Sequence, residues 1–528
     1  MKNWYAIFMV GCAIATSGCK QDARKQIEQS AVEPSVSNTY LPEAFGLDER
    51  ISLIRTKEAE FQNMIERHAQ SEHIPGVVFG LVVDDQLVAT ATTGLLDVEQ
   101  KRPATLTSAF RIASMTKSFT AMAILKLRDE GKLSLTDPVE KYIPEMARLT
   151  YPTSDSPIID IENLLSMTAG FPEDNPWGDR QLDKPDQMLI DLVSEGISFS
   201  NVPSMDFEYS NTAYALLGHL VTKISGQPFQ QYITEHLLNP LKMTHTYWEV
   251  DKVPPADLAL GYRWEDGTWK LEPILHDGSF GAMGGLITTI EDFTKYVSFH
   301  LSAWPPRSTE EVGPVKRSTL REMHTPRYSR LFGEAKDWNE DNCPIMVGYG
   351  FGLGIQKNCK GITSVSHGGA LPGFGSNYVF YPDYGIGLMA FGNLTYTSPW
   401  PLRDLAKILF DTLGLQPRKL PISDILSHRQ QQLAEMITTW ESKLESKILA
   451  ENFYLDESRE HRRAKIEALL QEAGPILSTD PIVPENQLRG TFRMKTEKGV
   501  LRVYFTLTPE IDPKVQDLEV EFIAQETK

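Results

Sequence analysis

Ser114-Met115-Thr116-Lys117 places a hydroxyl and an ammonium three positions apart. On a helix that spacing brings both to one face. A serine hydroxyl ionises far above neutral pH and needs a neighbouring base. A lysine serves as that base only when desolvation or nearby cations drive off its proton. Such a pair could attack a carbonyl carbon and carry an acyl group. The spacing alone is a weak signal, since ordinary Ser and Lys usage gives about one or two such pairs by chance in a chain this long. Ser17 and Lys20 fit it too. What separates Ser114 is its setting, between a strand-like run at 109–113 and a helical period starting near Lys117. There the hydroxyl meets unpaired N–H groups and the positive end of the helix dipole.

Two other segments stand where such a nucleophile needs help. Tyr209-Ser210-Asn211 precedes a helical run at 212–225 and offers a phenol for proton transfer and an amide for substrate contact. Ser and Asn are also favoured helix N-caps, and taken alone the segment reads first as a cap. His367-Gly368-Gly369 ends a strand-like run at 362–366, where two glycines let a substrate approach backbone donors. The other reading is a hairpin turn with an incidental histidine. The chain has no G-x-S-x-G elbow, H-E-x-x-H helix, G-x-x-x-x-G-K-[ST] loop or Cys/His cluster at metal spacing.

The elements around these residues follow from hydrophobic period. Apolar runs at 77–83 and 87–91 flank Asp84-Asp85 as a hairpin. From Lys117 to about Leu238 the spacing is helical, with Phe119, Met122 and Leu125, then Tyr214, Leu217 and Ile224 up to Gly226. Strand patterns return from Ile362, with 376–381 and 386–392 divided by Pro382-Asp383-Tyr384-Gly385, and a helix is expected from Leu402 to Leu413. The expected fold class is α/β (α+β): one antiparallel sheet assembled from distant segments, flanked by helices, with a largely helical subdomain against it. Chemistry would then sit in the cleft between them. Residues 46–415 make this domain, 422–475 read as a helical connector, and 480–528 as a small β module.

The N-terminus reads as an export segment. Lys2 precedes an apolar run at 4–15, and Thr16-Ser17-Gly18-Cys19 resembles a bacterial lipobox despite Thr16 in place of the usual Leu. Residues 1–18 are expected as the signal and 19–45 as a polar tether. A lipid on Cys19 would hold the protein on a membrane surface of the cell envelope, on the periplasmic side, with the outer membrane favoured over the inner. An ordinary cleaved signal is the alternative. In an oxidising compartment Cys343 and Cys359 could pair, or stay as two thiols; closing their loop would be worth about 3 kcal/mol. The 528 residues carry a net charge of −18 with 41% hydrophobic and 23% charged residues, which excludes disordered, collagen-like and polytopic membrane classes. With no basic run, nucleic acid is not expected as a partner.

In this order, the three motifs resemble those of the serine β-lactamase and penicillin-binding-protein superfamily. The nearest branch is the class C β-lactamase-like one, which also holds D-Ala-D-Ala carboxypeptidases, D-aminopeptidases and family VIII esterases. AFRIASMTKSFTAMAILKL, YSNTAYALLGHLVTKISGQPF, GAMGGLITTIEDFTKYV and SHGGALPGFGSNYVFYPDYGIGLMAFGN all look like that branch, and the resemblance spans about residues 50–415. It implies a β-lactamase/transpeptidase-like fold, with Ser114 acylated, Lys117 its proton acceptor and Tyr209 a second acid/base. It also implies substrate binding by Asn211, His367, Gly368 and Gly369, and an oxyanion hole from the N–H groups of Ser114 and Ala370. No metal or organic cofactor is implied. The family's usual Lys-Thr-Gly is His367-Gly368-Gly369 here, which moves weight from β-lactams toward D-peptides and esters. An exposed imidazole would lose its charge between about pH 6.5 and 7.5, and turnover of anionic substrates is expected to fall there. The rival reading is a non-hydrolytic penicillin-binding or envelope sensor protein.

Overall fold

The computed structural model describes residues 35–37 and 39–525. The signal at 1–18, Cys19 and the first part of the tether lie outside the described residues. The chain divides into Met1–Tyr40 and Leu41–Lys528, and all regular structure among the described residues lies in the second.

GVVFGLVV, Gly76–Val83 (β1), is buried along its whole length, as a strand covered on both faces must be. Its hairpin partner is Gln86–Asp97 (β2), turning at Asp84-Asp85 as the sequence predicts. The sheet is completed by Arg102–Pro103 (β3), Tyr328–Phe332 (β4), Ile345–Tyr349 (β5), Gly354–Asn358 (β6), Thr363–Leu371 (β7), Phe374–Tyr381 (β8) and Ile386–Gly392 (β9). Its order is β3-β2-β1-β9-β8-β7-β6-β5-β4, antiparallel throughout. Val77 pairs with Gly392 and Val83 with Ile386, so the two distant strand blocks meet at its centre.

Alternation along β1 sorts the two cores. Val77, Phe79, Leu81 and Val83 face one side, where Phe61, Ile65 and Ala69 of Glu58–Ser71 (α1) cover them at four-residue spacing. Val78 and Val82 face the helical block, which holds Thr116–Asp129 (α2), Asn211–Ser225 (α3) and Ile290–Leu301 (α4). The helix α5 (Leu402–Lys407) continues through a π-helical turn, Ile408–Thr412, toward Gly414.

Cys343 and Cys359 form a disulfide, with Cα atoms 5.2 Å apart. It staples the open end of the β5–β6 hairpin, next to β7. Replacing both cysteines with Ala should lower unfolding free energy by about 3 kcal/mol in a denaturant titration, because the unfolded chain regains the entropy of a 16-residue separation. An unchanged midpoint would count against this.

Beyond residue 421 the helices are not a spacer. Asp424–Thr439 (α6), Ser442–Ile448 (α7) and Arg459–Ala473 (α8) share one core with a five-stranded sheet running from Ile476 to Ala524. Leu426, Leu433, Met436 and Ile437 of α6 cluster with Phe492, Leu501, Val503 and Phe505. Strands that alternate apolar and polar residues leave one apolar face, and the helices cover it. Among the described residues no helix is long and apolar enough to cross a membrane.

Candidate active site

Ser114 sits at the entry to α2. Phe110–Arg111 pairs with Ile287–Thr288, then Ala113–Met115 makes a 3-10 turn into the helix, with Ala113 at φ 49°. Lys117, one turn on, is fully buried. Its Nζ lies 3.1 Å from Ser114 Oγ, 2.6 Å from Asn211 Oδ1 and 3.1 Å from the Met283 carbonyl. Burial lowers its pKa from 10.5 to about 7, against the pull of Asp174 and Asp179. Two of the three neighbours accept hydrogen bonds only. Once Lys117 is an amine, its two hydrogens go to Asn211 and Met283, and its lone pair faces the Ser114 hydroxyl. Gly352, at φ 72°, closes the back of this site, since a Cβ there would stand 2.8 Å from Ser118 Cα and 3.0 Å from the Lys117 carbonyl.

In Tyr209-Ser210-Asn211 the cap reading is met by the middle residue. Ser210 Oγ accepts from Ala213 N (3.2 Å) and caps α3, while its two neighbours turn to either side of the cap. Tyr209 is half-buried and lines the same cleft as Ser114, and burial pushes its phenol above the usual 10. Asn211 is fully buried; its Oδ1 accepts from Lys117, and Nδ2 gives one of its two hydrogens to Asn175 Oδ1 at 2.7 Å. Asn211 positions Lys117, and the amide side chains that line the cleft are those of Asn175 and Asn377.

His367-Gly368-Gly369 does not end its strand. β7 runs on to Leu371, with His367 opposite Tyr378, Gly368 opposite Asn377 and Gly369 opposite Ser376. Glycines that resemble a stop locally are carried through by ladder bonds on β8. At Gly369 a Cβ would lie 2.1 Å from the Ile112 carbonyl and 2.4 Å from Ser376 Oγ, so only glycine lets the strand close on the Ser114 turn. His367 Nδ1 donates to the Gly368 carbonyl at 2.5 Å, leaving Nε2 to accept from Tyr349 Oη at 3.4 Å. Burial first, and the nearby Lys117 charge second, lower its pKa to about 4. The imidazole is therefore neutral above about pH 4, and the expected loss of charge between 6.5 and 7.5 is overturned. Composition and spacing carry no information on how deeply a side chain is buried.

Ser114, Tyr209, His367, Gly368, Gly369 and Ala370 line one cleft of about 660 Å³. The sequence reading missed a second group in its wall, Asn175, Asp179 and Tyr396. Asp174 lies behind them and accepts from Asn211 N (2.7 Å), Thr212 N (2.8 Å) and Thr212 Oγ1 (2.7 Å), adding a second cap to α3. The only local signal was three acids within Glu173–Asp179, a stretch that otherwise reads as a polar loop.

A family model described as Beta-lactamase matches residues 61–411. Protein flp of Staphylococcus aureus (strain MW2) is 28% identical over 353 residues, 65% of this chain and 64% of its own length. The chain thus spans less than two thirds of that relative. Beta-lactamase-like protein 2 of Dictyostelium discoideum is 30% identical over 293 residues, 54% of this chain and 52% of that protein. Among solved structures, the octameric penicillin-binding protein homologue from Pyrococcus abyssi aligns with a TM-score of 0.57 at 21% identity, covering 88% of this chain and 96% of that one. A penicillin binding protein from Bacillus halodurans aligns with a TM-score of 0.50 at 23% identity, over 65% and 98%. Both likenesses are of fold.

Proposed function

Because the chain belongs to the beta-lactamase family, we propose that it is a serine hydrolase cutting amide or ester bonds through an acyl-enzyme on Ser114. The observation that carries this reading is the environment of Lys117 Nζ, held by two acceptors with its remaining direction on Ser114 Oγ. At neutral pH a share of Lys117 is amine, whereas the Tyr209 phenol keeps its proton. Lys117 therefore takes the Ser114 proton as Oγ attacks the carbonyl carbon. The tetrahedral oxygen is received by the N–H groups of Ser114 and Ala370, each such donor being worth about 3–4 kcal/mol in the transition state. Tyr209, beside Ser114 in the cleft wall, hands its proton to the departing amine or alcohol and is refilled from the Lys117 ammonium, whose Nζ lies 4.8 Å from its ring centre. Water then attacks the ester, giving its proton back through the same groups and releasing acid and Ser114.

The substrate classes that fit this reading are D-Ala-D-Ala-type peptides, β-lactams and small esters. The lipobox-like residues 16–19 support export, lipidation at Cys19 and a place on the periplasmic side of the envelope. A purified-protein panel of nitrocefin, a p-nitrophenyl ester, a D-Ala-D-Ala peptide and a D-amino-acid amide tests the reading. Steady turnover of at least one, with transient label on Ser114, is the expected result. A label that never leaves would identify a sensor instead.

A further inference from the structure

Arg111, which pairs with Ile287 on the way into the Ser114 turn, lines a second cavity of about 70 Å³ that shares no wall residue with the cleft. Only 3% of Arg111 is exposed. Its Nη1 donates to the Gly285 carbonyl at 3.0 Å and its Nη2 to the Leu275 carbonyl, so both partners are neutral. Arg111 makes no ion pair among the described residues. Its Nε has no acceptor there either, yet it is not one of the unpartnered atoms sealed inside the protein, and the space beside Arg111 is this cavity.

Burial lowers the Arg111 pKa only to about 10, against the pull of Asp277 and Glu249, so the guanidinium stays charged at neutral pH. Those two acids act from a distance and are engaged elsewhere. Asp277 Oδ2 accepts from Gln230 Nε2 at 2.7 Å, and burial pushes its carboxyl up to about 7, leaving it a partial charge. Glu249 Oε1 accepts from Asp277 N at 3.0 Å, and its Oε2 faces His276 Nδ1 at 3.2 Å. A buried cation without a contacting anion is unfavourable, and a ligand carboxylate would supply the missing charge and accept the remaining N–H groups.

The rest of the wall sets what the carboxylate is attached to. Leu258, Leu260, Leu275, Ile287 and Phe374 make it apolar. Glu272 is the other charged group, and it is already matched: Arg263 Nη1 lies 3.6 Å from Oε2, and Thr395 Oγ1 donates to Oε1 at 3.2 Å. With about 10–15 Å³ for one water, the volume holds a molecule of about five or six non-hydrogen atoms.

We infer that this cavity binds a short aliphatic monocarboxylate, with the carboxylate on Arg111 and the alkyl chain against Leu258, Leu260 and Phe374. The site stands apart from the hydrolase reading, since it uses no residue of the Ser114 cleft.

The test is calorimetric titration of the full chain with butyrate, n-butanol and n-butylamine at about pH 7, where the acid is ionised and the amine protonated. Butyrate should bind the wild-type protein with a Kd of about 1 mM or tighter, and the alcohol and amine about tenfold more weakly or not at all. Arg111→Met removes the charge, and Ala259→Leu adds bulk to the cavity wall. Each should weaken butyrate by about tenfold or more. Protein treated with a fluorophosphonate should bind butyrate as the untreated protein does, because the cleft is not the site. The inference is overturned if butyrate does not bind, if the alcohol or amine binds as well, if binding survives in both variants, or if the treatment abolishes it. Should Arg111→Met fail to fold, Ala259→Leu and the comparison of the three ligands decide. The hydrolase reading is tested separately by the labelling of Ser114 itself, so either idea can fail without the other.

Discussion

Ser114→Ala is expected to abolish covalent labelling by a fluorophosphonate and to lower kcat by about 10⁵ to 10⁶-fold on whichever substrate the wild-type protein turns over. That is the scale seen when a serine nucleophile is removed from a preorganised site. Ser114 Oγ lies 3.1 Å from Lys117 Nζ and shares the cleft wall with Tyr209. Ser118, one turn on, is buried and donates to the Met115 carbonyl, so it cannot substitute. The substitution removes one oxygen from a turn held by backbone bonds and by Ser376 Oγ donating to Ile112 O at 2.7 Å, and the fold should persist. Thermal unfolding of the variant serves as the control. Equal labelling of wild type and variant would end the assignment of Ser114 as nucleophile.

The second large effect is at Lys117, where the pH profile identifies the role. Because burial holds its pKa near 7 and the working form is the amine, kcat/KM should rise with pH through about 7 and level off above it. The sign is opposite to that expected from an exposed, titrating His367. Lys117→Met should cost about 10²- to 10⁴-fold in kcat/KM, the usual contribution of a positioned base, and flatten the limb near pH 7. A limb that stays in place in Lys117→Met would assign the titration to another group. Mutation of Asn211, which accepts from Lys117 at 2.6 Å, should shift the limb without removing it.

Much of this was legible along the chain. The three-residue interval from Ser114 to Lys117 is a local code, since one helical turn brings those side chains together whatever surrounds them. The β1–β2 hairpin and the α3 helix ending at Gly226 were equally local, set by alternation and by turn and cap chemistry. The β1–β9 pairing was implied by strand patterns at both ends of the domain, though its register was not. Misread segments share one cause. His367-Gly368-Gly369 resembles a strand end only until β8 is laid beside it, and residues 422–475 resemble a spacer only until the apolar face of the C-terminal sheet needs cover.

The sequence by itself determined which residues could react and in what order they occur. The tertiary structure decided their protonation, partners and exposure. Lys117 near 7, a neutral His367, Asn211 turned inward and Asp179 with a free oxygen all follow from desolvation and from contacts between segments 30 or more positions apart, such as Asn175 with Asn211 and Asp179 with Tyr396. Electrostatic energies depend on distance and on the water removed around a group, and neither is a property of neighbours in the chain.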